Sequence, residues 1–161
     1  MTDRLTILTL TRIEARHLAD LIDQFATLVA DGRPEDPALG RLTPDAYPED
    51  DAASREFRDV TRTDLLGRRA GDARVVAEDL ERIGDAGLDD ALSPVDVSIA
   101  GDRLDAWLRT LAALRLVLAS RLGISDGDAA HDEDDPRYGL YEWLGYRLEG
   151  LVQAADGETS A

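Results

Sequence analysis

Apolar positions along the chain follow two periods, and each predicts an element. Leu5-Thr6-Ile7-Leu8-Thr9-Leu10 is a β-branched run that reads as a short strand. Thr11, with Glu14 three residues on, carries the capping-box signature of a helix start. Beyond it Leu18, Leu21, Ile22, Phe25, Leu28 and Val29 recur at helical spacing, and Gly32 and Pro34 end the helix. Residues 33–51 read as a packed crossover in which Pro37 and Pro44 open very short helices and Leu39, Leu42 and Tyr47 are anchors. A helix follows from Asp51 with Phe57 and Val60 facing inward. A kink is expected near Gly67, and a second part carries Leu65, Leu66, Ala73, Val76, Leu80 and Ile83.

Residues 84–93 read as a loop, and Val95, Val97 and Ile99 then alternate with Asp96 and Ser98 as a second strand. Leu104, Trp107, Leu108, Leu111, Leu114, Leu118 and Leu122 line one side of the next helix, with Leu116 and Val117 opposite. A helix apolar nearly all round belongs in the centre of its domain, and Gly123 ends it. Pro136 starts the last helix, with Asp135 as N-cap and Tyr141, Leu144, Leu148, Leu151 and Val152 as the inward stripe. The fold class expected is predominantly α: a compact bundle of about five helices with a minor two-stranded β element at residues 5–10 and 95–99. One domain is expected over 1–155, with a disordered polar tail at 156–161. Strand then helix occurs twice, which reads as coincidence rather than duplication.

Charge changes the choice of partners. The 161 residues carry a formal net charge of −16, and all 18 basic residues are arginine. Phosphate backbones and anionic membrane surfaces are repelled by such a surface, so neither nucleic acid nor membrane is expected as a partner. The chain has no cysteine, which removes disulfides, thiolate chemistry and thiol switching together. Met1-Thr2-Asp3-Arg4 lacks a basic region leading into an apolar one, and the longest apolar stretch, 111–118, is interrupted by Arg115, so a cytoplasmic protein is expected.

Candidate chemistry is sparse. The acidic loop 126–135 could offer carboxylates to a cation, joined by His131, but it lacks the residue order of a calcium loop and reads more simply as a solvated segment. His17 reads as a helix-surface residue. Gly67-Arg68-Arg69-Ala70-Gly71 lacks the Gly-Lys-Ser/Thr ending of a phosphate loop, and no Ser-His-Asp set or paired-histidine metal motif is present. No enzyme and no cofactor is expected. Arg55, Arg58, Arg62 and Arg69 recur at helical spacing as a basic stripe, either a solvated face paired to local acids or a docking surface for an acidic partner. Trp143, beside Tyr141 and Leu144, is either core or part of an exposed aromatic interface. Arg115 lies between Leu114 and Leu116 and needs a carboxylate or carbonyl partner. Glu142 or Glu149 is the nominee, which would make a clamp between the last two helices.

Several segments in order resemble one family. They are Asp36-Pro37-Ala38-Leu39, Leu42-Thr43-Pro44-Asp45-Ala46-Tyr47, Glu56-Phe57, and Trp107 with Leu114-Arg115-Leu116-Val117-Leu118. Arg121-Leu122-Gly123-Ile124 and Tyr141-Glu142-Trp143-Leu144 complete the set. Together they resemble the actinobacterial family of unknown function that includes the actinomycete oxidative-stress regulator. The resemblance implies a largely helical cytosolic protein without catalytic residues, whose relatives often sit beside the gene for an adaptor of the Clp protease. It also implies a link to an alternative sigma factor, which one member binds through cysteine chemistry. This chain has no cysteine, so the thiol switch does not carry over, and the polar pair before the family's leucine-arginine motif is Ala112-Ala113 here.

These features point to a non-enzymatic regulator or scaffold acting through protein contacts, with a sigma factor as one suspected partner. The alternatives are an accessory factor for Clp-type proteolysis and a metal- or small-ligand-binding protein built on the acidic loop. A homodimer is compatible with all three.

Overall fold

A computed structural model describes residues 4–33, 35–43, 51–83, 91–124 and 134–159, with the backbone alone described for 51–59 and 157–159. Its elements run β1 (Leu5–Thr11), α1 (Arg12–Asp31), α2 (Pro37–Leu42), α3 (Asp51–Glu81), β2 (Pro94–Ala100), α4 (Leu104–Leu122) and α5 (Pro136–Thr159). The fold is mostly α, with five helices and one two-stranded antiparallel sheet among the described residues.

The strand-to-helix junction forms where the sequence signals it. Thr11 Oγ1 accepts from the Glu14 N–H at 3.2 Å and Glu14 Oε1 accepts from the Thr11 N–H at 2.9 Å, so two donors at the helix start are satisfied reciprocally. α2 is capped by Asp36, whose Oδ1 accepts from the Ala38 N–H at 2.9 Å, with Pro37 in the first turn. α4 ends at Gly123, whose φ of 74° is the left-handed value that glycine adopts without a Cβ penalty.

The core takes side chains from every element. Trp107, Leu111, Val76, Ala73, Ile99, Leu10, Leu18, Phe25, Leu39 and Leu144 are all fully or nearly fully buried. Each Leu, Ile or Phe so placed contributes about 1.5–3 kcal/mol relative to remaining exposed. α1 packs on α3, and α4 packs on three of the other four helices, α3, α2 and α5.

Three sequence expectations change, and α3 is one 31-residue helical run through Gly67 and Gly71. Neither glycine has another atom within 4 Å of where a Cβ would lie, so both sit on an open face, where each costs about 1 kcal/mol relative to alanine without breaking the helix. Val60, expected inward, is 76% exposed. Leu116 and Val152 are also exposed, because α4 and α5 each keep one side in solvent. Finally, α5 continues to Thr159, through the stretch read as a tail from Asp156. Tyr47, Pro44 and most of the loop 84–93 lie outside the described residues.

Candidate interaction surface

β1 and β2 pair so that Leu5 faces Ala100, Ile7 faces Ser98 and Thr9 faces Asp96. Side chains alternate across the ribbon: Thr6, Leu8 and Leu10 point into the core, while Leu5, Ile7 and Thr9 point out. Backbone groups alternate as well. The Arg12 N–H donates to the Ser93 carbonyl at 3.0 Å, which assigns the even-numbered residues of β1 to the ladder with β2. The odd-numbered residues therefore turn their N–H and C=O groups to the free edge. Two contacts agree: the Thr11 N–H reaches Glu14, and the Thr9 carbonyl accepts from Arg147 Nη1 at 3.3 Å.

Glu14 is the hub at this edge. Its Oε1 serves the capping box, and its Oε2 accepts from Trp143 Nε1 at 2.6 Å and from Arg147 Nη2 at 3.3 Å. Burial acts to raise the Glu14 pKa, but contacts with the Thr11 backbone, Trp143, the Thr11 hydroxyl and Arg147 outweigh it. The carboxyl is held below its usual range. Trp143 is thus half-buried and anchored by its indole N–H, packed against the core. Arg147 stacks over Trp143 and over Tyr146, which is itself exposed.

Arg115 does join α4 to α5, but not through Glu142 or Glu149. Its Nε donates to the Tyr141 carbonyl at 3.3 Å, and its guanidinium lies 4.1 Å from the centre of the Tyr141 ring. Gly145 makes the space: a Cβ there would come within 2.9 Å of the guanidinium. Both nominated carboxylates are exposed, and Glu149 instead accepts from Gln153 at 3.5 Å. The need for a polar partner is real, and a carbonyl with a ring face meets it at lower desolvation cost than a second buried charge would.

Of the arginine stripe on α3, two of the four side chains are described. The side chains of Arg55 and Arg58 lie outside the described residues. Arg62 is half-buried and engaged, and Arg69 is half-buried with its Nε lacking a hydrogen-bond partner. Between them, exposed Arg68 pairs with Asp64 at 3.1 Å, a surface ion pair of small energy. His17 is exposed, as expected. His131 and residues 126–133 of the acidic loop lie outside the described residues. Of its described end, Asp135 caps α5 by accepting from the Arg137 N–H at 2.9 Å and pairs with the Arg137 guanidinium, which holds the Asp135 carboxyl below its usual range. Among the described residues no group of three or more His, Asp or Glu side chains is placed to hold a metal ion.

A second polar network escaped the sequence reading. Asp79 on α3 is 2% exposed, and its Oδ2 accepts from Trp107 Nε1 at 2.8 Å. Both Asp79 oxygens also accept from Arg103 Nε, at 3.0 and 3.2 Å, while Arg103 Nη2 reaches Glu78 at 3.0 Å and the Val75 carbonyl at 3.1 Å. A signal for it exists in the chain. Asp79 falls on the same face as Val76 and Leu80, and an acid on a buried stripe requires a donor. A buried tryptophan on the neighbouring helix requires an acceptor. A third tie holds α2 to the end of α4. Arg121 bonds both oxygens of Asp36 at 2.8 Å, and Arg41 reaches the Ile124 carbonyl at 2.9 Å. The Arg121 guanidinium, then the Ala38 N–H, hold the Asp36 carboxyl below its usual range.

No helix among the described residues is long and apolar enough to cross a membrane. No curated protein and no solved structure matches the chain. One family, described as "Domain of unknown function (DUF2017)", matches residues 2–155, nearly the whole sequence. The chain is therefore a member of the DUF2017 family.

Proposed function

We propose that this chain is a non-enzymatic regulator or scaffold that works in the cytoplasm by binding another protein. One observation carries the reading. The carboxylates of Asp79, Asp36 and Glu14 are each spent on fixed bonds between elements, whereas Leu5, Ile7 and Tyr146 stand out into solvent. Groups locked by arginine and indole donors hold helices in place, and apolar side chains at an open surface offer contact area.

The resemblance to the actinobacterial family supports a finer proposal: a partner of the transcription machinery such as a sigma factor, bound without a thiol switch. With no cysteine in the sequence, diamide is expected to leave the affinity for the partner unchanged in a titration with purified components. A loss of binding that dithiothreitol reverses would require a thiol in the partner. The test of the general reading is quantitative affinity purification of the tagged chain from its own cells. One protein recovered in stoichiometric amount is the expected result, and a chain that is repeatedly recovered alone contradicts it.

A further inference from the structure

The two outer edges of the β ribbon differ. β2 begins with Pro94, which has no N–H, and carries Asp96 on the residues that face outward, two devices that discourage strand pairing. The edge of β1 is closed only at one end, where Glu14 takes the Thr11 N–H and Arg147 takes the Thr9 carbonyl. At the other end, no other described residue bonds the outward N–H and C=O groups of Leu5 and Ile7. Their side chains are 57% and 51% exposed. From Leu5 to Thr11 the strand has neither charge nor proline. An open row of backbone donors and acceptors beside alternate apolar side chains selects an extended chain as its occupant.

We propose that the β1 edge at Leu5 and Ile7 is a docking site for an extended, basic segment of another protein, which adds to the ribbon as a third strand. The inference rests on the reading of this chain as one that acts by binding a protein, and it names the surface and the chemistry of the partner. Charge selects a basic segment. The chain carries −16 overall, the exposed Asp96 accepts from the Thr9 hydroxyl at 2.7 Å on the neighbouring strand, and Arg147 is already paired with Glu14. A field of that sign draws in cationic segments and repels a second copy. Two outward residues per strand support only about four backbone bonds between copies, whereas an added peptide can run on past the strand.

The edge can be blocked without removing a bond of the β1–β2 ladder. Proline at position 7 deletes an outward N–H and leaves the ladder to β2 intact, since that ladder uses the even-numbered residues. The probe is a synthetic peptide of alternating valine and threonine with two lysines at each end, titrated into the full-length protein by fluorescence anisotropy. Saturable binding is expected, weakened about tenfold or more by Ile7→Pro and by N-methylation of alternate peptide amides. Peptide N-methylation keeps the test valid if Ile7→Pro fails to fold. The proposal is overturned by any of three results: no saturable binding; binding that depends on salt but ignores both changes; or a wild-type dimer in sedimentation that Ile7→Pro dissociates. A partner from cells that binds Ile7→Pro as tightly as wild type would overturn this site while leaving the docking role standing. The absence of any partner would remove the role itself.

Discussion

Two tryptophans, each bonded to a carboxylate through its indole N–H, mark two regions built on opposite plans. Trp107 and Asp79 are both almost completely enclosed between α3 and α4, with Arg103 closing the third side. Trp143 and Glu14 sit half-exposed where β1, α1 and α5 meet, beside Arg147 and the exposed Tyr146. The same chemical pair fastens a core in one place and frames an open surface in the other. Water decides the difference: an enclosed carboxylate is costly without its donors, whereas one at the rim regains hydration when a donor is lost.

The comparison breaks most visibly at Asp79. Asp79→Ala leaves the Trp107 N–H and Arg103 Nε without their acceptor, and a loss of about 3–5 kcal/mol in unfolding free energy is expected from urea titration. A loss under 1 kcal/mol would mean that the network is not holding α3 to α4. Glu14→Ala is expected to cost less, about 1–2 kcal/mol, because it removes a cap and two bonds at a partly solvated site. Arg115→Met comes next, at about 1 kcal/mol or less by the same measurement, since it gives up a stacking contact and one carbonyl bond but keeps an apolar stem against Tyr141.

Acid sharpens the contrast with the smallest effect. Glu14 and Asp36 have carboxyl pKa values lowered on folding. Their contribution is complete above the usual carboxylate range and is lost as pH falls through that range toward the lowered folded values. The thermal midpoint is expected to decline over that acidic window, and the double variant Glu14→Gln, Asp36→Asn to decline less steeply. An equal slope for wild type and variant would show that other groups carry the acid response.

Much of the fold was legible because its signals are local. The Thr11–Glu14 box, the glycine after α4 and the alternation in both strands depend on neighbours in sequence, and each forms as read. Helix α3 runs through Gly67 because the helix penalty of two glycines is small beside the burial of Ala73, Val76 and Leu80 against the other helices. The candidate site was harder to read. Arg115 visibly needed a partner, but which one depends on how α4 and α5 are set against each other, and Gly145, which makes the space, carries no chemistry to announce itself. Asp79 could have been found by asking why an acid shares a face with Val76 and Leu80. The exposed edge of β1 could not, since the strand alone does not say which of its sides meets another element.

Hydrogen exchange of the Leu5 and Ile7 amides, followed by NMR without and with the partner recovered from cells, tests the central claim most directly. In the free protein both amides are expected to exchange fast while Leu8 and Leu10 exchange slowly, and the partner is expected to slow Leu5 and Ile7 without altering the Trp107 indole. Fast exchange at both positions in the bound state, with protection arising over α3 and α4 instead, would contradict it.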